Sequence, residues 1–473
     1  MKKRLLSLLL ALIMLLSMAA CGDSGSTKSD DDDDDDDASA VTTPSDKTDN
    51  GAFGAPVGKP SDRDYYQKNF NTSGSISSTV LADACGIKIT VTGIDYSSAY
   101  RAQINIEVEK TSGDATGLSL TELSVNGLMV SSYFYASFEE STKVTDTVNL
   151  QYKDLLMYGV KDISVMNMKF TYSTADVYGK ELGTYQLQTS LYPSYKQNDS
   201  FFRDAIVSNN NPAAHAYTLH GQKVGELFSQ GGVAVRSATF ITYEENYTPD
   251  LVLLEVDNTT NKSMEFNLES VAFNGIVFDE YSSIVISPGK KGILEVYSYD
   301  MRQSVVRNAY GIDHISSLKA EAAAYNAGEY SPVGKATLDV ALDGEASRNV
   351  GGTSVYSKEG IEILYKNIVF SGNLNSKEAY ILYVVNNASS YDSIKVSTNL
   401  SDGAAMKING TEYSEYVYEK VRKGEYCAIV ICLNQTDLTD LGINTAADIT
   451  SIELKLNITG SNFNDSPTIT VNK

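Results

Sequence analysis

Histidine, cysteine and tyrosine are the residue types in this 473-residue chain that could do chemistry: three His, four Cys and 31 Tyr. His215 and His220 lie five apart, with Asp204 a little upstream. Two imidazoles can begin a zinc site, but such a site needs a third or fourth ligand. No cysteine accompanies the pair, so no metal and no cofactor are expected. No serine sits in a Gly-x-Ser-x-Gly elbow, which leaves Ser/His/Asp catalysis without an anchor. Cys427 and Cys432 share the apolar stretch 426–433, where five-residue spacing places them on opposite faces of a strand and forbids a bridge. Cys85 lies far from both, so buried, inert thiols are expected rather than a disulfide framework or a nucleophile. Tyr133-Phe134-Tyr135, Tyr297 with Tyr299, and Tyr413 with Tyr416 and Tyr418 form aromatic groups. Tyrosine can stack on sugars or anchor a protein interface. Alternation along a half-buried strand is the competing reading, and the absence of Trp weakens a sugar platform. No catalytic residue is expected, so the chain reads as a non-enzyme whose ligand-binding residues are unknown.

The elements that would position these residues recur. Val125-Asn126-Gly127-Leu128 returns as Phe273-Asn274-Gly275-Ile276 and as Ile408-Asn409-Gly410-Thr411. Asn-Gly between apolar runs predicts a two-residue type I′ hairpin, because both residues tolerate positive φ. Before each hairpin a strand opens at glycine: Gly86, Gly232 and Gly360. After each comes one helical turn that predicts a glycine cap at Gly159, Gly311 and Gly442, each followed by Val or Ile as a Schellman cap requires. Strictly alternating 452–458 predicts a closing strand. The repeat has the length of a domain. Short strands with one apolar face predict an all-β chain of three tandem immunoglobulin-like β-sandwich domains over 75–195, 223–344 and 353–473. Residues 196–222 and 345–352 are expected as linkers, with the second and third domains held closer than the first and second.

The N-terminus reads as an address. Lys2, Lys3 and Arg4 precede an apolar run, 5–18, that is too short for a permanent span. Met18-Ala19-Ala20-Cys21-Gly22 then resembles the lipobox of bacterial lipoproteins, with Met18 at the position usually held by leucine. That resemblance implies a signal peptide over 1–20 and lipid attachment at Cys21, which becomes the anchored mature N-terminus; two acyl chains hold durably where one is reversible. Residues 21–74 are expected as a disordered tether, because the unbroken aspartate run 30–37 has no apolar surface to bury and repels itself. As a flexible coil it would span roughly 40 Å. Tyr65, Tyr66 and Phe70 suggest that its end begins to dock on the first domain.

Net charge is 38 − 60 = −22. Nucleic acid is therefore not an expected partner, since binding it needs clustered positive charge. The three units and the lipobox together resemble the telokin-like, immunoglobulin-like domains of Gram-positive surface lipoproteins. The resemblance implies a lipid-anchored protein on the outer face of the bacterial membrane. A non-catalytic binding or adhesion role is expected, with a protein or glycan ligand. A structural or accessory envelope lipoprotein of a transport or secretion system is the alternative.

Overall fold

The computed structural model describes residues 53–139, 141–197, 200–243, 250–278, 280–344, 346–372, 377–399 and 404–472. The described residues are built mostly of antiparallel strands, packed as β-sandwiches. One sheet runs Thr79–Ala84, Ile87–Asp95, Arg101–Lys110, Lys143–Gln151. It packs against Ala115–Val125, Val165–Thr174 and Lys180–Gln188 through Ile89, Ile104, Val148, Leu118, Met168 and Phe170. Arg101–Lys110 shows why: its alternate residues Ala102, Ile104, Ile106 and Val108 are buried and those between are not.

The expected hairpins are present and have the expected backbone. Asn126, Asn274 and Asn409 have φ of 51°, 50° and 51°, and the glycines after them 88°, 76° and 81°. Three further two-residue turns, Cys85-Gly86, Gly231-Gly232 and Glu359-Gly360, also have both residues at positive φ. The glycines read as strand openers are thus the second residues of hairpins, joining Ala84 to Ile87, Gln230 to Val233 and Lys358 to Ile361. Cysteine and glutamate in the first turn position hid two of them, since neither belongs to the usual Asn, Asp or Gly set.

Each Asn amide works in both directions. Asn126 Oδ1 accepts from the N–H of Ser164 and Val165, and its Nδ2 donates to Asp162 O. Asn274 does the same with Ser316, Ser317 and His314, and Asn409 with Thr450, Ser451 and Asp448. The hairpin is thereby tied to the start of the unit's closing strand. An aspartate could not do this, because a carboxylate has no donor.

The glycine caps are also as expected. The N–H of Val160, Ile312 and Ile443 donates to the carbonyl five residues back, at 2.8, 3.0 and 2.8 Å. The intervening glycines have φ of 87°, 65° and 67°. That is the 6→1 bond of a Schellman cap.

The sheets do not stop at the repeat boundaries. The short strand after the first hairpin, Leu128–Met129, pairs in parallel with Lys291–Val296, so five strands of the first repeat and four of the second join in one sheet. Ile276–Phe278 pairs in parallel with Tyr426–Leu433 and joins the second repeat to the third in the same way. Leu128 and Ile276 are fully buried at these joints. The third copy differs. Its strand Thr411–Tyr413 is a sheet edge, and Thr411 and Glu412 are exposed there. Polar side chains on an edge discourage further pairing.

The first two helical turns lie at the same joints. Tyr310, after the turn Ser304–Ala309, donates its hydroxyl to Tyr383 O at 2.9 Å across the second joint. Tyr152–Met157 does the equivalent work at the first, where Met157 shares a small core with Phe202, Ile206, Leu219, Ile241, Leu251 and Leu253. The expected linker 196–222 therefore has a fold of its own: the helix Phe201–Ile206, and a strand, Tyr217–Gln230, that begins inside it. Buried Phe202 and Ile206 drive this by covering a sheet face that would otherwise expose Leu251 and Leu253.

The end of the expected tether is folded too. Phe53, Tyr65 and Phe70 are buried, and Asn71 bridges to Asp162. The aspartate run and Cys21 lie outside the described residues.

Candidate functional site

A concavity lies at the first joint. It has a volume of about 490 Å³, lined by Gln197, Arg203, Arg236, Asp257, Asn258, Thr259, Gly289, Lys290 and Lys291. Arg203 comes from the helix Phe201–Ile206, Arg236 and Asp257 from adjacent strands, Lys290 from a turn and Lys291 from the strand that the turn opens. That turn is Ser287-Pro288-Gly289-Lys290. Lys290 N–H donates to Ser287 O at 3.1 Å, Pro288 holds the second position, and Gly289 has φ 64°. Proline then glycine at positive φ is the type II pattern.

An ion-pair chain crosses the floor. Arg203 Nε lies 2.9 Å from Glu255 Oε2, and Lys291 Nζ lies 3.3 Å from Glu255 Oε1 and 2.8 Å from Asp257 Oδ1. Arg236 closes it, with Nε 3.2 Å from Asp257 and Nη1 2.9 Å from Glu226. Burial pushes the Glu255 carboxyl above the usual glutamate range, against the pull of Lys291 and Arg203. Burial likewise holds the Lys290 ammonium below the usual lysine range.

The sequence-marked histidines do not converge. His215 stacks on Tyr66 at 5.8 Å and meets its hydroxyl at 3.2 Å. His220 lies within the strand Tyr217–Gln230, stacks on His314 at 4.3 Å and bonds Thr242 at 2.7 Å. Among the described residues no group of three or more His, Cys, Asp or Glu could hold a metal ion.

None of the three described cysteines forms a disulfide. Cys427 and Cys432 share the strand Tyr426–Leu433, as expected, and Cys85 is exposed in its hairpin. Burial, with Glu378 nearby, pushes the Cys432 thiol up to about 11.

The tyrosine groups divide. Phe134 is 1% exposed, while Tyr133 and Tyr135 on either side are 64% and 42% exposed, and Tyr178 is 87% exposed. Tyr178 lies close enough to act on the Tyr133 phenol, whose pKa is raised by partial burial first and by Tyr135, Tyr178 and Asp146 after it. Tyr416 and Tyr418 stack in parallel at 6.5 Å, and Arg302 sits 3.8 Å over the Tyr299 ring. Tyr413 is half-buried and donates to Cys432 O.

Sequence reasoning missed Arg203, Arg236, Glu255 and Lys290, which meet only through strand pairing. The Pro-Gly-Lys-Lys turn in so acidic a chain was the available signal.

No helix among the described residues is long and apolar enough to cross a membrane. No protein-family model matches the chain, and no curated protein does. Among solved structures it shows similarity to red sea bream transglutaminase: 12% identity and TM-score 0.13, over 64% of this chain and 37% of the transglutaminase. A structure described as concerning host cell surface retention of a bacterial ice-binding adhesin gives 10% and 0.12, over 78% and 90%. The exo-chitosanase of Amycolatopsis orientalis gives 7% and 0.14, over 84% and 79%. Likenesses this low carry no argument about what the chain does.

Proposed function

We propose that this is a non-catalytic binding or adhesion protein, held by a lipid on Cys21 at the outer face of a bacterial membrane. The observation that carries the binding role is the exposed group Tyr133, Tyr135 and Tyr178 on the first repeat. Large aromatic rings left in water at the edge of a sheet and on the loops beside it suit stacking on a sugar or anchoring a protein surface. The paired joints support this reading, because they fix the loops of successive repeats relative to one another. The anchoring rests on Met18 to Cys21 and their resemblance to a lipobox.

A glycan array probed with residues 44–473 tests the binding role. The expected result is a retained ligand class whose binding falls at least several-fold in the double variant Tyr133→Ala/Tyr178→Ala. Equal binding by the variant removes the tyrosine surface from the account, and reproducible turnover on hydrolase panels removes the non-catalytic reading. Anchoring is tested separately by labelled fatty acid: wild type should incorporate it and Cys21→Ala should not.

A further inference from the structure

We infer that the cleft at the first joint binds an oxyanion, a phosphate or carboxylate group, through Lys290. The inference stands apart from the tyrosine surface and from the membrane address.

The charges in the cleft can be counted. Arg203, Lys291 and Arg236 are three cations, and Glu255, Asp257 and Glu226 are the three anions that pair with them. That chain is balanced. Lys290 is a fourth cation on the same wall and makes no ion pair among the described residues. Among the described residues Lys290 is therefore the lining cation without an ion pair, in a partly desolvated cleft of a chain whose net charge is −22.

The cleft is a rigid one. Lys290 is fixed from behind by its turn bond to Ser287 O, and the N–H of the next residue, Lys291, donates to Gly127 O of the first repeat at 3.0 Å. The backbone that carries Lys290 is thus held by both repeats, so its side chain starts from a fixed Cα at the cleft wall. A free lysine on an open surface would be satisfied by water. Here burial disfavours the charged form, and an incoming oxyanion would restore it by a charge-assisted hydrogen bond. Thr259 and Asn258 supply polar edges but keep their own hydrogen bonds, to Gly232 O and within 258–262. The recognising group is therefore the lysine. The anion could be free or carried on an acidic polysaccharide.

Isothermal titration of the full chain with inorganic phosphate, and separately with polygalacturonate, tests the inference. Wild type should bind at least one probe, Lys290→Gln should weaken that binding by roughly tenfold, Lys290→Arg should retain it, and Lys335→Gln, on an exposed strand, should leave it unchanged. Binding of phosphate assigns a free anion, and binding of the polymer alone, with the same dependence on Lys290, assigns an acidic glycan. Lys290→Gln should melt as wild type does, since it breaks no ion pair; if it does not, comparison of Lys290→Arg with wild type decides. Absence of binding by both probes, undiminished binding by Lys290→Gln, loss on Lys290→Arg, or equal loss on Lys335→Gln overturns the inference.

Discussion

Lys291 donates its backbone N–H to the carbonyl of Gly127 at 3.0 Å, so a strand of the second repeat begins on the hairpin of the first. Tyr426 opposite Ile276 repeats the relationship at the second joint. The Asn-Gly hairpin therefore serves as a connector between repeats as well as a turn within one.

The asparagines of the three hairpins should not tolerate aspartate equally. Asn274 is buried and donates to His314 O and Ser347 O. Asn274→Asp would set a carboxylate against two carbonyls and should cost about 1–3 kcal/mol or more. Asn409 is exposed, with water as an alternative partner, so Asn409→Asp should cost less. Denaturant midpoints of the two variants give the comparison; equal losses would mean that burial does not set the cost.

The capping glycines should separate joint from cap. Gly442 is at φ 67° with open space around it, so Gly442→Ala should cost only the left-handed backbone penalty, about 1 kcal/mol. At Gly159 an added Cβ would lie 2.7 Å from Phe201 O and 2.9 Å from Ala205 Cβ. Gly159→Ala must therefore also displace the helix Phe201–Ile206, and a loss on the order of 2–5 kcal/mol is expected. Thermal unfolding of both variants measures the difference.

The thiols should react in a set order. Cys85 is exposed, Cys432 is half-buried with its pKa pushed up to about 11, and Cys427 is buried. Native alkylation followed by peptide mass mapping should show Cys85 modified first and Cys427 only on unfolding. No bridge between Cys427 and Cys432 should appear in the non-reduced protein.

Acid should weaken the second joint. Glu425 in the third repeat pairs with Arg422 beside it and with Lys319 in the second. Burial raises its carboxyl pKa, but the bonds and charges of Arg422 and Lys319 outweigh that and leave it below the ordinary value of 4.5. The folded state thus holds its proton less tightly than the unfolded chain. The resulting stability is present above pH 4.5 and is lost as pH falls through the lower, folded value. The melting temperature of wild type should exceed that of Glu425→Gln at pH 7, and the gap should close in acid. A gap that widens on acidification would reverse the sign.

Local geometry was legible in the order of residues alone. Asn-Gly set three type I′ hairpins because both residues accept positive φ, and Gly159, Gly311 and Gly442 set the helix caps for the same reason. Alternation such as that of 452–458 set the strands and hence the all-β sandwich class. These features act over a few residues, so spacing reveals them. What the local elements meet depends on contacts between distant parts of the chain. The apolar run 251–254 could not announce that Leu251 and Leu253 would be covered by Phe202 and Ile206, and 196–222 therefore read as a linker. Likewise Phe53 and Phe70 are held by a core whose other members lie far along the chain, so 53–74 read as part of a tether. The cleft depends on the same long-range pairing: Lys290 acquires its surroundings only when Lys291 joins Gly127 and Arg203 reaches Glu255.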